Sequence, residues 1–106
     1  MTLMFPRPPK PERGNKACRD YMGLVAQLAC VCCRQPGVVV HHVIHGRFAQ
    51  RRASDMDTIP LCPEHHRMLH DEPAAWKAAF GLDTDYIAST RRAVGQLQRA
   101  LIGGWR

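Results

Sequence analysis

The hydrophobic positions of this chain come in short runs, each closed by proline, glycine or a basic cluster. Cys18, Tyr21, Val25 and Leu28 recur at helical spacing, which predicts an amphipathic helix over about 16–29 capped by Asn15. Cys18 lies on that stripe and reads as a buried apolar side chain, not a ligand. The β-branched run from Val38 to Ile44 predicts a strand. Thr58-Ile59-Pro60-Leu61 predicts a short returning strand, kept at an edge by its proline. Pro63 suits the first turn of a helix carrying His65 through His70. Pro73 interrupts, Ala74 to Phe80 makes a further helix stopped by Gly81, and Asp83 or Thr84 caps the last one. In that helix Ile87, Thr90, Val94, Leu97 and Leu101 form a seam for the first helix or for a second copy of the chain. Gly95 weakens the seam and Gly103-Gly104 ends it. Trp76, Phe80 and Trp105 are expected to pack on the core.

The pattern divides the chain into three parts. Residues 1–15 are a basic, proline-rich arm expected to be extended, residues 16–82 are the folded domain, and residues 83–106 are a C-terminal helix. At 106 residues there is room for one domain at most, and so small a core commonly needs a metal or disulfides. No signal peptide and no membrane-length apolar run is evident. Five cysteines, an odd number, without an export signal favour thiols as metal ligands in a reducing cytoplasm.

Charge adds a partner class. The formal charge is +6, and 12 of the 15 basic residues are arginine. The guanidinium fork suits phosphates and guanine edges, so nucleic acid, DNA above all, is the expected partner.

The chemistry is concentrated between Cys30 and His70, which hold four of the five cysteines and all six histidines. Cys30-x-x-Cys33 and Cys62-x-x-His65 are two clips with the spacing of a closed structural Zn²⁺ site, and a strand pair between them can bring them together. Cys32 is the alternative to Cys33 in the first clip. His66 and His70 share one helical face, while His65 points about a quarter-turn away toward the cysteines. His41 and His42, adjacent in a strand, point to opposite sides, so one of them can join His66 and His70 on a second ion. The other is then free to act as a base. Three histidines leave positions open for substrate and water, as a catalytic metal site requires.

These residues carry a resemblance. His41-His42, Asp57 and Cys62-x-x-His65-His66-x-x-x-His70 resemble the His-Asn-His (HNH) nuclease motif, and the string from His41 to His66 is similar to the phage Ref-like, RecA-dependent branch. The likeness covers roughly residues 16–82. It implies an α+β fold of the small zinc-stabilised ββα-metal (HNH, treble-clef-like) kind with flanking helices, and a phosphodiester hydrolase that nicks or cuts DNA. It further implies His41, His66 and His70 on a catalytic Mg²⁺, Mn²⁺ or Zn²⁺, His42 as general base, and a RecA-type filament on single-stranded DNA as partner. Asp57 stands where the family usually has asparagine, the residue that orients the base. An aspartate can accept the same hydrogen bonds but lacks the amide donors, and Asp55 competes for the role.

The loop between the two strands holds Arg47, Arg51 and Arg52, placed to clamp phosphates, and Phe48, which can wedge at a base step. The alternative function is a non-catalytic zinc module that binds nucleic acid through this same loop.

Overall fold

The structure is a computed structural model that describes residues 13–45 and 53–103. Residues 1–12 of the arm, the loop residues Arg47, Phe48, Arg51 and Arg52, and Trp105 lie outside the described residues.

The elements are α1 (Lys16–Val25), β1 (Val39–His42), β2 (Thr58–Leu61), α2 (Pro63–Asp71), α3 (Pro73–Phe80), a 3-10 turn (Asp83–Tyr86) and α4 (Ile87–Gly103). Among the described residues these make a small α+β fold of four α-helices and a two-stranded antiparallel sheet. His41 lies opposite Ile59 and Val39 opposite Leu61. Alternation therefore separates two faces. Ile59 and Leu61 pack with Cys30, Val43, Cys62, Leu69 and Trp76 into the main core. On the other face Val40 joins Tyr21, Val25 and Val94, which lock α1 to α4. Cys18 is fully buried, as the stripe requires.

Local chemistry explains most boundaries. The Asn15 side chain accepts from the Cys18 amide at 2.8 Å and starts α1. α1 ends at Val25 rather than near residue 29, because the Gln27 and Leu28 amides turn back to Leu24 and Val25 carbonyls three residues away. Leu28 still packs on the α1–α4 cluster. β1 is shorter than its β-branched run because its partner has only four residues. Pro60, which has no amide, directs its carbonyl to the Val31 amide at 3.1 Å, so the cysteine segment covers that side of β2.

Pro73 separates two helices as expected: α2 ends at Asp71, and Pro73 takes the first position of α3, where proline is tolerated. Gly81, at φ +86°, closes α3, and a Cβ there would stand 2.8 Å from Asp85 Oδ2. Asp83 does not cap the last helix. It lies in the 3-10 turn with its side chain buried against the β1 end. The α4 seam is split as well. Thr90 and Val94 are buried, whereas Leu101 and Ile102 are exposed. Trp76 is buried and tilts against Phe80 at 5.3 Å between ring centres. No helix among the described residues is long and apolar enough to cross a membrane.

Candidate metal centres

The first centre forms where the cysteine segment meets the N-terminus of α2. The Cys30 amide bonds to the Gln35 carbonyl at 2.9 Å and the Arg34 amide to the Cys30 carbonyl at 2.8 Å, closing a tight turn. Arg34 completes it in the left-handed region at φ 65°. Cys62 is the N-cap of α2, and its sulfur accepts from the His65 amide.

Cys30, Cys33, Cys62 and His65 each present a ligand atom within 4.8 Å of the others, so together they could hold a metal ion. Cys33 Sγ lies 3.7 Å from Cys62 Sγ, and His65 Nδ1 lies 3.1 Å from Cys62 Sγ and 3.9 Å from Cys30 Sγ. Two sulfurs on a tetrahedral ion with bonds of about 2.3 Å stand roughly 3.7 Å apart. A disulfide would need about 2 Å. The spacing fits ligands around an ion.

The Cys32 alternative is decided by placement: Cys33, not Cys32, belongs to the group whose ligand atoms lie within 4.8 Å of one another. Burial, then the neighbouring Cys30 sulfur, pushes the Cys32 thiol up to about 12, which keeps it protonated. At Cys30 burial works in the same direction, but hydrogen bonds from the Cys62, Cys33 and Cys32 amides outweigh it and bring the thiol down to about 6. The thiolate, the form that binds metal, is thus favoured at Cys30 and disfavoured at Cys32.

His41, His66 and His70 form the second centre, their ligand atoms again within 4.8 Å of one another. His66 Nε2 and His70 Nε2 are 3.2 Å apart across one helical turn. The His41 ring centre lies 5.2 Å from that of His66 and 5.6 Å from that of His70. Burial, then the neighbouring His41 and His70, lowers the His66 pKa and favours the neutral ring that can ligate. His65 and His66 are adjacent on α2, yet each serves a different centre, because successive helical residues diverge by about 100°.

His42 turns to the opposite side of β1, and its Nε2 donates to Asp55 Oδ1 at 2.7 Å. The side chain remains 35% exposed. Asp57, expected beside His42, is elsewhere: its carboxylate takes Arg91 from α4 at 2.6 Å. The reason is a turn over residues 54–57, in which the Asp57 amide bonds to the Ser54 carbonyl. That turn directs Asp55 inward, where its other oxygen accepts from the Gly14 amide at 2.7 Å. Burial works to raise the Asp55 pKa, but His42, the Gly14 amide and Arg13 together hold it below the usual carboxylate value. Asp55→Ala should therefore lower stability by about 1–3 kcal/mol, since it strands the Gly14 amide and frees His42. Asp57→Ala removes a half-exposed ion pair and should cost no more than about 1 kcal/mol. Urea melts of the two variants check the order, and equal losses would contradict it.

Asp83 and His45 carried no functional role in the sequence, and nothing in their local spacing signals one. In the structure both lie beside His41, and the buried Asp83 bonds to both rings.

Comparison with known proteins adds kinship. The chain is similar to "Uncharacterized protein YdfU" of Escherichia coli (strain K12), with 33% identity over 79 residues. That match covers 73% of this chain and 23% of the relative, so the chain spans about a quarter of the relative's length. No solved structure matches it. Residues 2–96 match the family described as "Protein of unknown function (DUF968)", and the chain belongs to that family.

Proposed function

We propose that this chain is a metal-dependent DNA endonuclease or nickase of the HNH type, built on a ββα-metal unit and held together by a structural Zn²⁺. The observation that carries the reading is the division of labour at the end of β1. His41 gathers with His66 and His70 into one ligand group, while the neighbouring His42 stays half-exposed and is held by Asp55.

In this reading Cys30, Cys33, Cys62 and His65 hold the zinc, and His41, His66 and His70 hold Mg²⁺, Mn²⁺ or Zn²⁺. A divalent ion there supplies charge stabilisation at the scissile phosphate and the leaving oxygen. His42 acts as general base. Its Nε2 is engaged by Asp55, so Nδ1 is the nitrogen that takes the proton from attacking water. Asp55 fixes the plane of that ring and, once the imidazole is charged, stabilises it. The orienting role that the motif would give to Asp57 passes to Asp55.

The substrate is the phosphodiester backbone, and the arginine-rich composition supports affinity without demanding base recognition. Arg47, Arg51 and Arg52 are proposed to bind phosphates flanking the cut. Arg51→Ala combined with Arg52→Ala should weaken DNA binding and flatten the salt dependence by about one unit of log–log slope per lost contact. An unchanged slope would remove that loop from the footprint.

A nicking assay with Mg²⁺ or Mn²⁺, with and without a RecA filament on single-stranded DNA, tests the activity. Metal-dependent nicking in either arm supports the reading, and intact DNA in every arm sinks it. Cutting confined to the filament arm would add the recombinase as partner.

A further inference from the structure

Asp83 is a fully buried carboxylate that joins two distant parts of the chain. Its Oδ2 accepts from His41 Nε2 at 3.0 Å and from the Ile44 amide at 2.7 Å. Its Oδ1 accepts from His45 Nδ1 at 2.7 Å and from the His45 amide at 3.3 Å. All these partners lie 38 to 42 residues earlier in the sequence. A buried carboxylate is costly unless its oxygens are satisfied, and here each oxygen serves a donor pair.

We propose that Asp83 is the positioning residue of the histidine centre, acting through His41. The assignment rests on the metal-site reading above and adds a residue to it. With the His41 Nε2–H engaged by Asp83, the ring is held in the tautomer whose lone pair is on Nδ1. That leaves Nδ1 as the nitrogen able to ligate alongside His66 and His70. The same carboxylate gathers the amides where β1 runs out, so ring orientation and the start of the loop are set together. A partner of this kind on a ligating histidine raises its basicity and fixes its orientation, and its loss typically weakens metal binding about 10–100-fold.

Asparagine at this position tests the idea, because it keeps the size of the side chain and replaces one acceptor with a donor. With its oxygen toward His41 and the Ile44 amide, asparagine keeps the Nε2–H contact but loses the negative charge that strengthens it; with its NH₂ there, it favours the tautomer protonated on Nδ1, which cannot ligate. Protein carrying one equivalent of Zn²⁺ in the cysteine centre is titrated with Co²⁺, whose visible spectrum distinguishes histidine from thiolate ligation. Asp83→Asn should bind Co²⁺ about 10–100-fold more weakly than the parent, with no displacement of zinc from the cysteines. His45→Ala, which keeps the His41 contact, should bind Co²⁺ like the parent.

Parent-like affinity in Asp83→Asn overturns the proposal. So does an equal loss in His45→Ala, which would assign the effect to loop anchoring rather than to His41. A parent that takes up no Co²⁺ through histidines overturns it as well. Should Asp83→Asn fail to fold, imidazole ¹⁵N shifts of the zinc-loaded parent decide. A proton on His41 Nε2 supports the assignment, and one on Nδ1 removes it. The nuclease reading is scored separately. A parent that binds Co²⁺ through histidines but cuts no DNA loses the activity and keeps Asp83 as positioning residue.

Discussion

Cys62→Ser is expected to unfold the domain, the largest stability effect of any single substitution considered for this chain. Cys62 offers a ligand atom to the first candidate centre, is the N-cap of α2 and belongs to the main core. Serine supplies a capping oxygen in place of the sulfur, so the substitution keeps the helix cap and removes the thiolate. A two-stranded sheet is marginal by itself, and a chain this size buries a small core. Binding of a structural zinc contributes on the order of 10–16 kcal/mol, whereas net domain stability is about 5–15 kcal/mol. Zinc binding is thus as large as the whole margin, and a site short of one of four ligands no longer supplies enough of it to keep the domain folded. Far-UV circular dichroism through a thermal ramp in the presence of Zn²⁺ reads the outcome, and chelator treatment of the parent should reproduce it. A soluble Cys62→Ser protein with a cooperative melt near that of the parent would refute the structural-zinc assignment. Cys32→Ser is the matched control and should fold, because the Cys32 thiol stands outside the ligand group.

His42→Ala is expected to reduce DNA cutting by about 10²- to 10⁴-fold while leaving the fold and both metal centres intact. The structural argument is one of placement. His42 faces away from the main core and is more than a third exposed, so truncation opens no buried cavity. Asp55 keeps the Gly14 amide and Arg13 as partners when the ring is gone. His41, one residue earlier, has the opposite profile: it is buried and belongs to the ligand group. His41→Ala should therefore lose metal as well as activity. Cleavage kinetics measured alongside metal titration separate the two roles. A His42→Ala protein that cuts like its parent would show that the base lies elsewhere.

The legible parts of the site are those set by local geometry. Two ligands three residues apart share a turn wherever that turn is placed, and two histidines four residues apart share a helical face. The two clips and the His66–His70 pair were therefore readable from spacing, and so was the opposed direction of His41 and His42 on one strand. The choice between Cys32 and Cys33 was open in the sequence. It turns on the path of the segment, which places the Cys33 sulfur by Cys62 and leaves Cys32 outside the ligand group. The partner of His42 was likewise open, because the turn over residues 54–57 decides which of two aspartates faces inward.

By itself, then, the sequence determined the element order, the capping of α1, the burial of Cys18 and the two groups of side chains that could hold a metal. Each follows from contacts within a few residues or from strand and helix periodicity. Only the tertiary structure decided that Asp55 holds His42, that Asp57 pairs with α4, and that Asp83 leaves its expected capping place to bond with His41 and His45. Those contacts join residues 13 to 42 positions apart. No local preference encodes such pairings. They arise when the core of Ile59, Leu61, Leu69 and Trp76 closes and leaves these carboxylates facing the donors that satisfy them.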